Sequence, residues 1–259
     1  MRTWIRNPLA IYTPHCGDAS GGVIVEGNTI AEILSAGESP SLPVDETFDA
    51  SEYVLLPGLI NTHHHFYQTL TRACSAALNK PLFPWLKSLY PLWANLDAEM
   101  IHTSTQLACA ELLLSGCTTA ADHHYIFPSS APEALDAQVE AIRDIGIRAT
   151  LTRGSMSLGE DQGGLPPRQT VQDEDTILSD SERVCDNYHD PASQSMLQIA
   201  LAPCSPFSVT ESLMRNTADL ARQKGVRLHT HLAETEDENN FCETTYGKRP
   251  VALLESLDW

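Results

Sequence analysis

Residues 55–65 (LLPGLINTHHH) constrain this chain most, because an apolar run leads directly into three consecutive histidines. Alternate side chains of a β-strand lie on the same face. If the strand continues through the run, His63 and His65 project to one side and His64 to the other. Two imidazoles one pleat apart can then reach the same metal ion. The alternative is a chance histidine cluster on a solvated turn, but the apolar run favours the end of a buried strand, predicted over 54–61.

A second histidine segment lies at residues 226–234 (VRLHTHLAE), where another strand is predicted to end. His231 would supply a third nitrogen ligand, and Glu234 follows three residues later, placed to work beside a metal. Three histidines, an open coordination position and a carboxylate that carries protons are what a hydrolytic metal site needs. These ligands predict one divalent ion, with zinc first and iron(II) or manganese(II) also compatible. His229 lies two residues before His231, so its side chain is predicted to point to the same side of the strand, one layer deeper. It is therefore predicted to be a buried core histidine.

Strands and helices alternate along the larger part of the chain. Strands of the buried, parallel kind are predicted at 54–61, 118–122, 148–152, 197–203 and 226–232. Helices are predicted at 98–115, 131–145, 209–224 and 250–257. This alternation predicts a parallel sheet, and polar sites at the carboxyl ends of the strands predict an α/β fold of the β/α (TIM) barrel class.

Two domains are expected. Residues 1–53 are predicted to be the N-terminal part of a small β-sandwich, with short strands at 3–13, 22–25 and 29–34 and a hairpin turn at Gly27-Asn28. Residues 54–259 then hold the first five units of a barrel that needs eight. We therefore expect a barrel truncated after about five strands. It would be a fragment of a longer enzyme, or its missing parts would come from elsewhere, and the chain alone is expected to be inactive.

Several segments resemble a known family. Residues 57–65 (PGLINTHHH) and 229–235 (HTHLAET) resemble signature segments of the amidohydrolase superfamily, in its branch of guanine-, adenosine- and triazine-type deaminases. Softer matches are 65–73 (HFYQTLTRA), 81–87 (PLFPWLK), 118–125 (TTAADHHY) and 151–157 (LTRGSMS). Together these are similar to deaminases that act on 8-oxoguanine, and the likeness runs over essentially the whole chain.

This resemblance implies hydrolytic deamination. Water attacks the ring carbon that bears the exocyclic amine, Glu234 moves the proton from water to a ring nitrogen, and ammonia leaves. In the resembling enzymes the position of Gln68 faces the substrate ring, and Trp85 lies in a loop that closes over the substrate. The family's fourth histidine ligand and its metal-binding aspartate belong to later strands, beyond residue 259.

Further residues at the strand ends are candidates for substrate binding. Arg153, His123 and His124 follow predicted strands on the catalytic face, where they would hydrogen-bond a purine carbonyl. The alternative for each is a salt bridge or a supporting hydrogen bond. Cys204 ends the fourth strand and is expected to line the pocket.

The composition limits the classes of molecule that this chain is expected to bind. A net charge of −18 argues against nucleic acid or an anionic membrane as partner, which leaves free small molecules as substrates. The family resemblance implies that this small molecule is a purine or a triazine. The seven cysteines are scattered without a Cys-x-x-Cys pair, which indicates reduced thiols in a cytoplasmic protein. There is no run typical of a membrane span or a signal peptide. Homo-oligomerisation of a full-length form stays open.

Three functional interpretations remain. The first is an aminohydrolase of 8-oxoguanine, giving a urate-type product and ammonia. The second stays in the same superfamily: a triazine, guanine or adenosine-type aminohydrolase, or an enzyme that removes chloride from a triazine. The third is a non-catalytic chain that binds a metal or a partner. The spacing of the predicted ligands does not separate the first two, whereas a panel of substrates does.

Overall fold

The structure is a computed structural model that describes residues 1–12 and 17–259. It divides into two compact units, Met1–Leu59 and Ile60–Trp259. Thr13, where the first predicted strand ends, and Cys16 lie outside the described residues. Among the described residues, no helix is both long and apolar enough to cross a membrane.

The first unit is built from short strands. They are β1 (Arg2–Arg6), β2 (Ala10–Ile11), β3 (Gly22–Glu26), β4 (Thr29–Leu34), β5 (Glu46–Asp49) and β6 (Val54–Leu55). Four of them form a sheet in the order β4-β3-β1-β5, and β2 pairs with β6 in parallel. The predicted hairpin between β3 and β4 is confirmed, with Gly27 at φ 61°, a left-handed conformation that glycine adopts without strain.

The strand predicted over 3–13 is interrupted, which corrects the expectation. Asn7 has φ 52°, outside the region that a strand occupies, and Pro8 has no N–H to donate to a ladder. The chain therefore leaves the four-stranded sheet after β1, and β2 pairs elsewhere.

The second unit contains a five-stranded sheet. Its strands are β7 (Leu59–His64), β8 (Cys117–Asp122), β9 (Arg148–Ser155), β10 (Leu197–Pro203) and β11 (Arg227–Leu228). They are neighbours in chain order, and β8 to β11 each run parallel to the next strand. Helices connect them, so the predicted barrel-type α/β fold is confirmed as a parallel half-barrel sheet.

Two predicted strands differ from the observed ones. The strand predicted over 54–61 breaks between β6 and β7 at Pro57-Gly58, and it is not buried: Leu59 and Ile60 are 61% and 68% exposed. β7 is an edge strand of its sheet, so one side lacks a covering neighbour among the described residues. The strand predicted over 226–232 is reduced to β11 at the opposite edge, and residues 229–232 continue as a loop.

The helices are α1 (Leu82–Trp93), α2 (Ala98–Leu114), α3 (Ala134–Ile145), α4 (Glu174–Tyr188), α5 (Glu211–Lys224), α6 (Glu236–Tyr246) and α7 (Pro250–Glu255). Four were predicted, and Gly146 ends α3 in a left-handed conformation, which is typical of glycine after a helix. Trp85 lies in α1 rather than in a loop. Pro84 is compatible with this helix because it sits in the first turn, where its missing N–H leaves no bond unmade.

The core of the second unit lies between its sheet and its helices. Side chains of β9 and β10, such as Leu151 and Ile199, pack with Val139 and Ile142 of α3 and with Cys109 of α2. All five are buried to 2% exposure or less. This packing fixes the strands whose carboxyl ends carry the polar residues of the site.

Candidate metal centre

Three predicted histidines meet at the carboxyl ends of the outer strands. His63 belongs to β7, His65 follows its last residue, and His231 lies three residues beyond β11. Each offers one ring nitrogen, and these nitrogens all lie within 4.8 Å of one another. We call these residues the first triad. The loop that carries His231 is held against β10, because its backbone N–H donates to the carbonyl of Cys204 at 3.0 Å.

Backbone carbonyls fix which nitrogens of the triad are free. The Nδ1 of His65 lies 2.6 Å from the carbonyl oxygen of His123, and the Nδ1 of His231 lies 2.8 Å from that of Cys204. Because a carbonyl only accepts, each Nδ1 must carry the proton. The Nε2 atoms of His65 and His231 are then bare, and they face one another at 3.2 Å. Two lone pairs at this distance repel each other unless a cation lies between them.

The protonation state of the first triad indicates that the cation between the two Nε2 atoms is a metal ion rather than a proton. Burial, reinforced by the neighbouring histidines, holds the pKa of His65 well below its usual value, and burial lowers the pKa of His231 to about 4. Burial also lowers the pKa of His63. Neutral imidazoles are the form that binds a metal ion. The nitrogen donor set, its spacing and its protonation state therefore fit one divalent transition-metal ion.

Glu234 lies on the same cavity as two of the triad histidines. Its pKa is raised first by partial loss of solvation and then by the nearby charge of Glu238. A carboxylate with a raised pKa accepts and releases a proton closer to neutral pH, as a general acid–base group needs. The preceding residue, Ala233, has φ 55°, and this left-handed step turns the chain out of the extended loop before α6.

Two adjoining cavities lie next to the first triad. The larger, about 520 Å³, is lined by residues that include His63, His65, Gln68 and Trp85. The second, about 450 Å³, is lined by residues that include His65, Gln68, Trp85, Cys204, His231 and Glu234. Gln68, Trp85 and Cys204 therefore lie beside the candidate metal site, with Trp85 on α1 rather than in a loop, and their role in substrate binding stays a prediction. Lys80 and Tyr125 also line the second cavity and were not predicted.

The structure does not bring Arg153 and His124 to the site. Arg153 is buried on the helix side of the sheet, where its Nε donates to Asp180 of α4 at 2.6 Å and its guanidinium lies over the ring of Phe127. His124 is fully buried, with its Nε2 2.7 Å from the carbonyl oxygen of Ile126. Its burial lowers the pKa to about 3, so it is a neutral core residue. Both sequence assignments were wrong because these side chains face the opposite side from the cavity.

His123 and His229 lie beside the triad, where the sequence did not place them as ligands. His229 is half-buried rather than a core residue, and its Nε2 lies 3.1 Å from the Nδ1 of His63. His123 is completely buried and stacks on His231, with ring centroids 4.3 Å apart and an interplanar angle of 16°. The alternation of a strand could have indicated His123, because it places His123 and His124 on opposite faces.

Comparison with known proteins decides the family. A model of the Amidohydrolase family matches residues 54–258. The chain belongs to the amidohydrolase family. The resemblance of the histidine segments is therefore confirmed.

Several named proteins are similar to this chain over nearly all of its length. The 8-oxoguanine deaminase of Pseudomonas aeruginosa is 59% identical over 258 residues, which are 100% of this chain and 58% of that protein. The isoxanthopterin deaminase of an unknown prokaryotic organism is 33% identical over 265 residues, covering 99% of this chain and 55% of that protein. The crystal structure of the atrazine chlorohydrolase TrzN from Arthrobacter aurescens TC1, complexed with zinc, superposes with a TM-score of 0.89 at 29% identity, covering 99% of this chain and 58% of that one. The chain thus spans little more than half the length of these relatives.

Proposed function

We propose that this amidohydrolase belongs to a zinc-dependent hydrolytic deaminase of a purine-type base, with 8-oxoguanine as substrate and urate and ammonia as products. One observation carries the proposal: His65 and His231 present bare, neutral Nε2 atoms next to a cavity that Glu234 also lines. The 59% identity to an 8-oxoguanine deaminase supports the substrate.

His63, His65 and His231 would hold the zinc ion. When bound, the ion supplies Lewis acidity that makes water a better nucleophile at neutral pH. The Nδ1 bonds of His65 and His231 to backbone carbonyls keep both rings oriented and in the tautomer that leaves Nε2 free. A zinc-bound structure of a related amidohydrolase supports zinc as the ion.

Glu234 would move the proton. Its carboxylate takes a proton from the attacking water and delivers it to the ring nitrogen beside the carbon that bears the amine. The proton that remains on the added hydroxyl then passes to the amine, which leaves as ammonia, and the carbon keeps the oxygen as a carbonyl group. The raised pKa of Glu234 and its place on the cavity beside His65 and His231 suit this exchange.

The cavity side chains would position the base. The amide of Gln68 can both donate to and accept from a ring edge, and the indole of Trp85 offers an aromatic face. Cys204 lies in the wall next to His231, with its Sγ 3.7 Å from that residue's Nδ1.

A reduced Cys204 and the other free thiols support a cytoplasmic location.

A panel of substrates tests the proposal in the full-length gene product. We expect the highest kcat/KM for 8-oxoguanine, intermediate values for guanine and isocytosine, and poor turnover of adenosine-type substrates. A pocket that hydrogen-bonds a carbonyl leaves buried donors unpaired when that carbonyl is absent. The similarity to atrazine chlorohydrolase makes a triazine the second candidate. If a chlorinated triazine or an adenosine derivative is turned over better than 8-oxoguanine, the substrate assignment is wrong.

A further inference from the structure

Asp122 is a buried acidic residue that the proposed mechanism does not use. It is the last residue of β8, its exposure is 0%, and the groups that donate to its oxygens are uncharged: the side-chain amide of Gln138 and the backbone N–H of Phe66. Burial of a carboxyl group costs free energy, and an apolar side chain of similar volume often replaces such a group without loss of stability. The acidic residue therefore points to a role other than packing.

One oxygen of Asp122 fixes the backbone next to a proposed zinc ligand. Its Oδ1 accepts the N–H of Phe66 at 2.6 Å, and Phe66 directly follows His65. Phe66 also begins a short 3₁₀ helix, Phe66–Thr71. The first N–H groups of a helix have no acceptor within the helix. Asp122 supplies this acceptor from the neighbouring strand, so the turn after His65 begins at a fixed point.

The next residue, His123, holds the chain on the other side of that point. Its backbone N–H donates to the carbonyl of His64 at 2.7 Å, and its carbonyl accepts the Nδ1–H of His65 at 2.6 Å. Residues 122 and 123 therefore bind three consecutive residues, 64–66, through three hydrogen bonds. The backbone on either side of His65 and the His65 ring are all held by the same two residues.

Gln138 fixes the second oxygen of Asp122. It lies on α3 with 0% exposure, and its Nε2 donates to Oδ2 of Asp122 at 2.7 Å. Because one oxygen is bonded to Phe66 and the other to Gln138, the carboxyl group cannot rotate without breaking a hydrogen bond. The Oε1 of Gln138 has no hydrogen-bond partner among the described residues, so this amide can also accept from a donor at position 122 if its two ends exchange.

We propose that Asp122 is a positioning residue for His65, and that Gln138 holds Asp122 in the orientation this requires. The inference rests on the proposed function, in which the Nε2 of His65 binds zinc. A backbone free to shift at residues 65–66 would move this Nε2 from the place where it faces the Nε2 of His231 at 3.2 Å. Removal of a group that orients a metal ligand typically weakens metal binding by roughly 10- to 100-fold.

Four variants of the full-length gene product test this role. Asp122→Leu removes both oxygens at similar volume, and Gln138→Leu removes only the support of Asp122. Asp122→Asn is the conservative variant, because its Oδ1 can accept the N–H of Phe66 while its Nδ2 donates to the Oε1 of Gln138. Thr105→Val is the matched control, because it deletes an equally buried side-chain hydrogen bond, to the carbonyl of Ile101 within α2.

The main readout is the zinc affinity, measured by competition with a chelator, beside the melting temperature of the metal-free protein. We expect Asp122→Leu to weaken zinc binding by roughly 10- to 100-fold and Gln138→Leu to weaken it by a smaller factor. Asp122→Asn should bind zinc as the wild type does. Thr105→Val should lower the melting temperature and leave the zinc affinity unchanged.

Wild-type zinc affinity in a folded Asp122→Leu variant would mean that Asp122 only stabilises the fold, and it would overturn the inference. Equal losses in Asp122→Asn and Asp122→Leu would also overturn it, because the charge rather than the hydrogen bonds would then act. If Asp122→Leu does not fold, Gln138→Leu decides, and an unchanged zinc affinity in that variant contradicts the inference. These outcomes leave the proposed function intact, whereas a wild type that binds no zinc overturns both.

Discussion

The backbone N–H of Glu234 donates to the carboxylate of Glu238 at 2.7 Å. The same carboxylate accepts the N–H of Ala233 at 2.9 Å, and Glu238 is completely buried. Glu238 also lies in the first turn of α6, whose N-cap Thr235 accepts its backbone N–H. The proposed proton carrier is therefore held in place by the start of a helix rather than by its own side chain.

We expect Glu238→Ala to lower kcat/KM by about 10²-fold, because small displacements of a reacting group cost this much. Glu238→Gln keeps one oxygen for the two N–H groups and should lose less activity. It also removes the charge that helps raise the pKa of Glu234, so the acid limb of the pH profile should move to lower pH. Full activity of the alanine variant would show that Glu238 does not position the loop.

Glu234→Gln should retain the metal and the fold but lose turnover by roughly 10²–10⁴-fold, the usual contribution of a general acid–base residue. The amide has nearly the same shape as the carboxylate but cannot carry the proton. Elemental analysis and single-turnover kinetics on the same preparation check both halves of this prediction. A rate close to that of the wild type would mean that another group moves the proton.

The double substitution His63→Ala and His65→Ala should abolish zinc binding, because it removes two of the three ligands of the first triad. Zinc that binds only the folded state raises the melting temperature, and this rise should disappear in the double variant. His102→Ala should behave like the wild type. If the double variant retains one full equivalent of zinc, the ligand assignment fails.

Asp122 should make stability depend on pH. It is fully buried, and burial raises its pKa to about 7 against the hydrogen bonds it accepts from Gln138 and from the N–H of Phe66. Between pH 4 and 7 the folded state therefore holds a proton that the unfolded state has lost, so this residue's contribution to stability falls as pH rises.

Asp122→Asn isolates that contribution. The free energy of unfolding of the wild type minus that of Asp122→Asn should decrease across pH 4 to 7, by at most about 1.4 kcal/mol per pH unit. The buried histidines, whose pKa values are lowered by burial, are present in both proteins, so their effect cancels in the difference. A difference that is flat across this range would show that Asp122 is ionised in the folded protein.

Local patterns in the sequence were enough to single out the three histidines of the first triad, whose role as metal ligands stays a prediction. The alternation at His63 and His65 and the strand before His231 place these histidines near strand ends, and the parallel sheet brings them together. The helix α6 could also have been found, because Thr235 and Glu238 have the spacing of a helix N-cap followed by a glutamate.

Contacts between residues far apart in the chain could not be predicted from local sequence patterns. Arg153 was assigned to the cavity because it follows a predicted strand on the catalytic face. Its ion-pair partner Asp180 lies on α4, a helix that was not predicted. The contact between His229 and His63 joins residues 166 positions apart. Such pairs depend on how the sheet curves and on which side each strand end faces, and neither appears in a local pattern.

Ammonia release from 8-oxoguanine tests the proposed metal-dependent deaminase function, when it is measured on the full-length gene product stripped of metal and then reloaded with zinc. We expect no release above background from the stripped protein, one ammonia per 8-oxoguanine consumed after reloading, and no recovery in the His63→Ala and His65→Ala double variant. Equal ammonia release before and after stripping, with zinc shown to be absent, would contradict it.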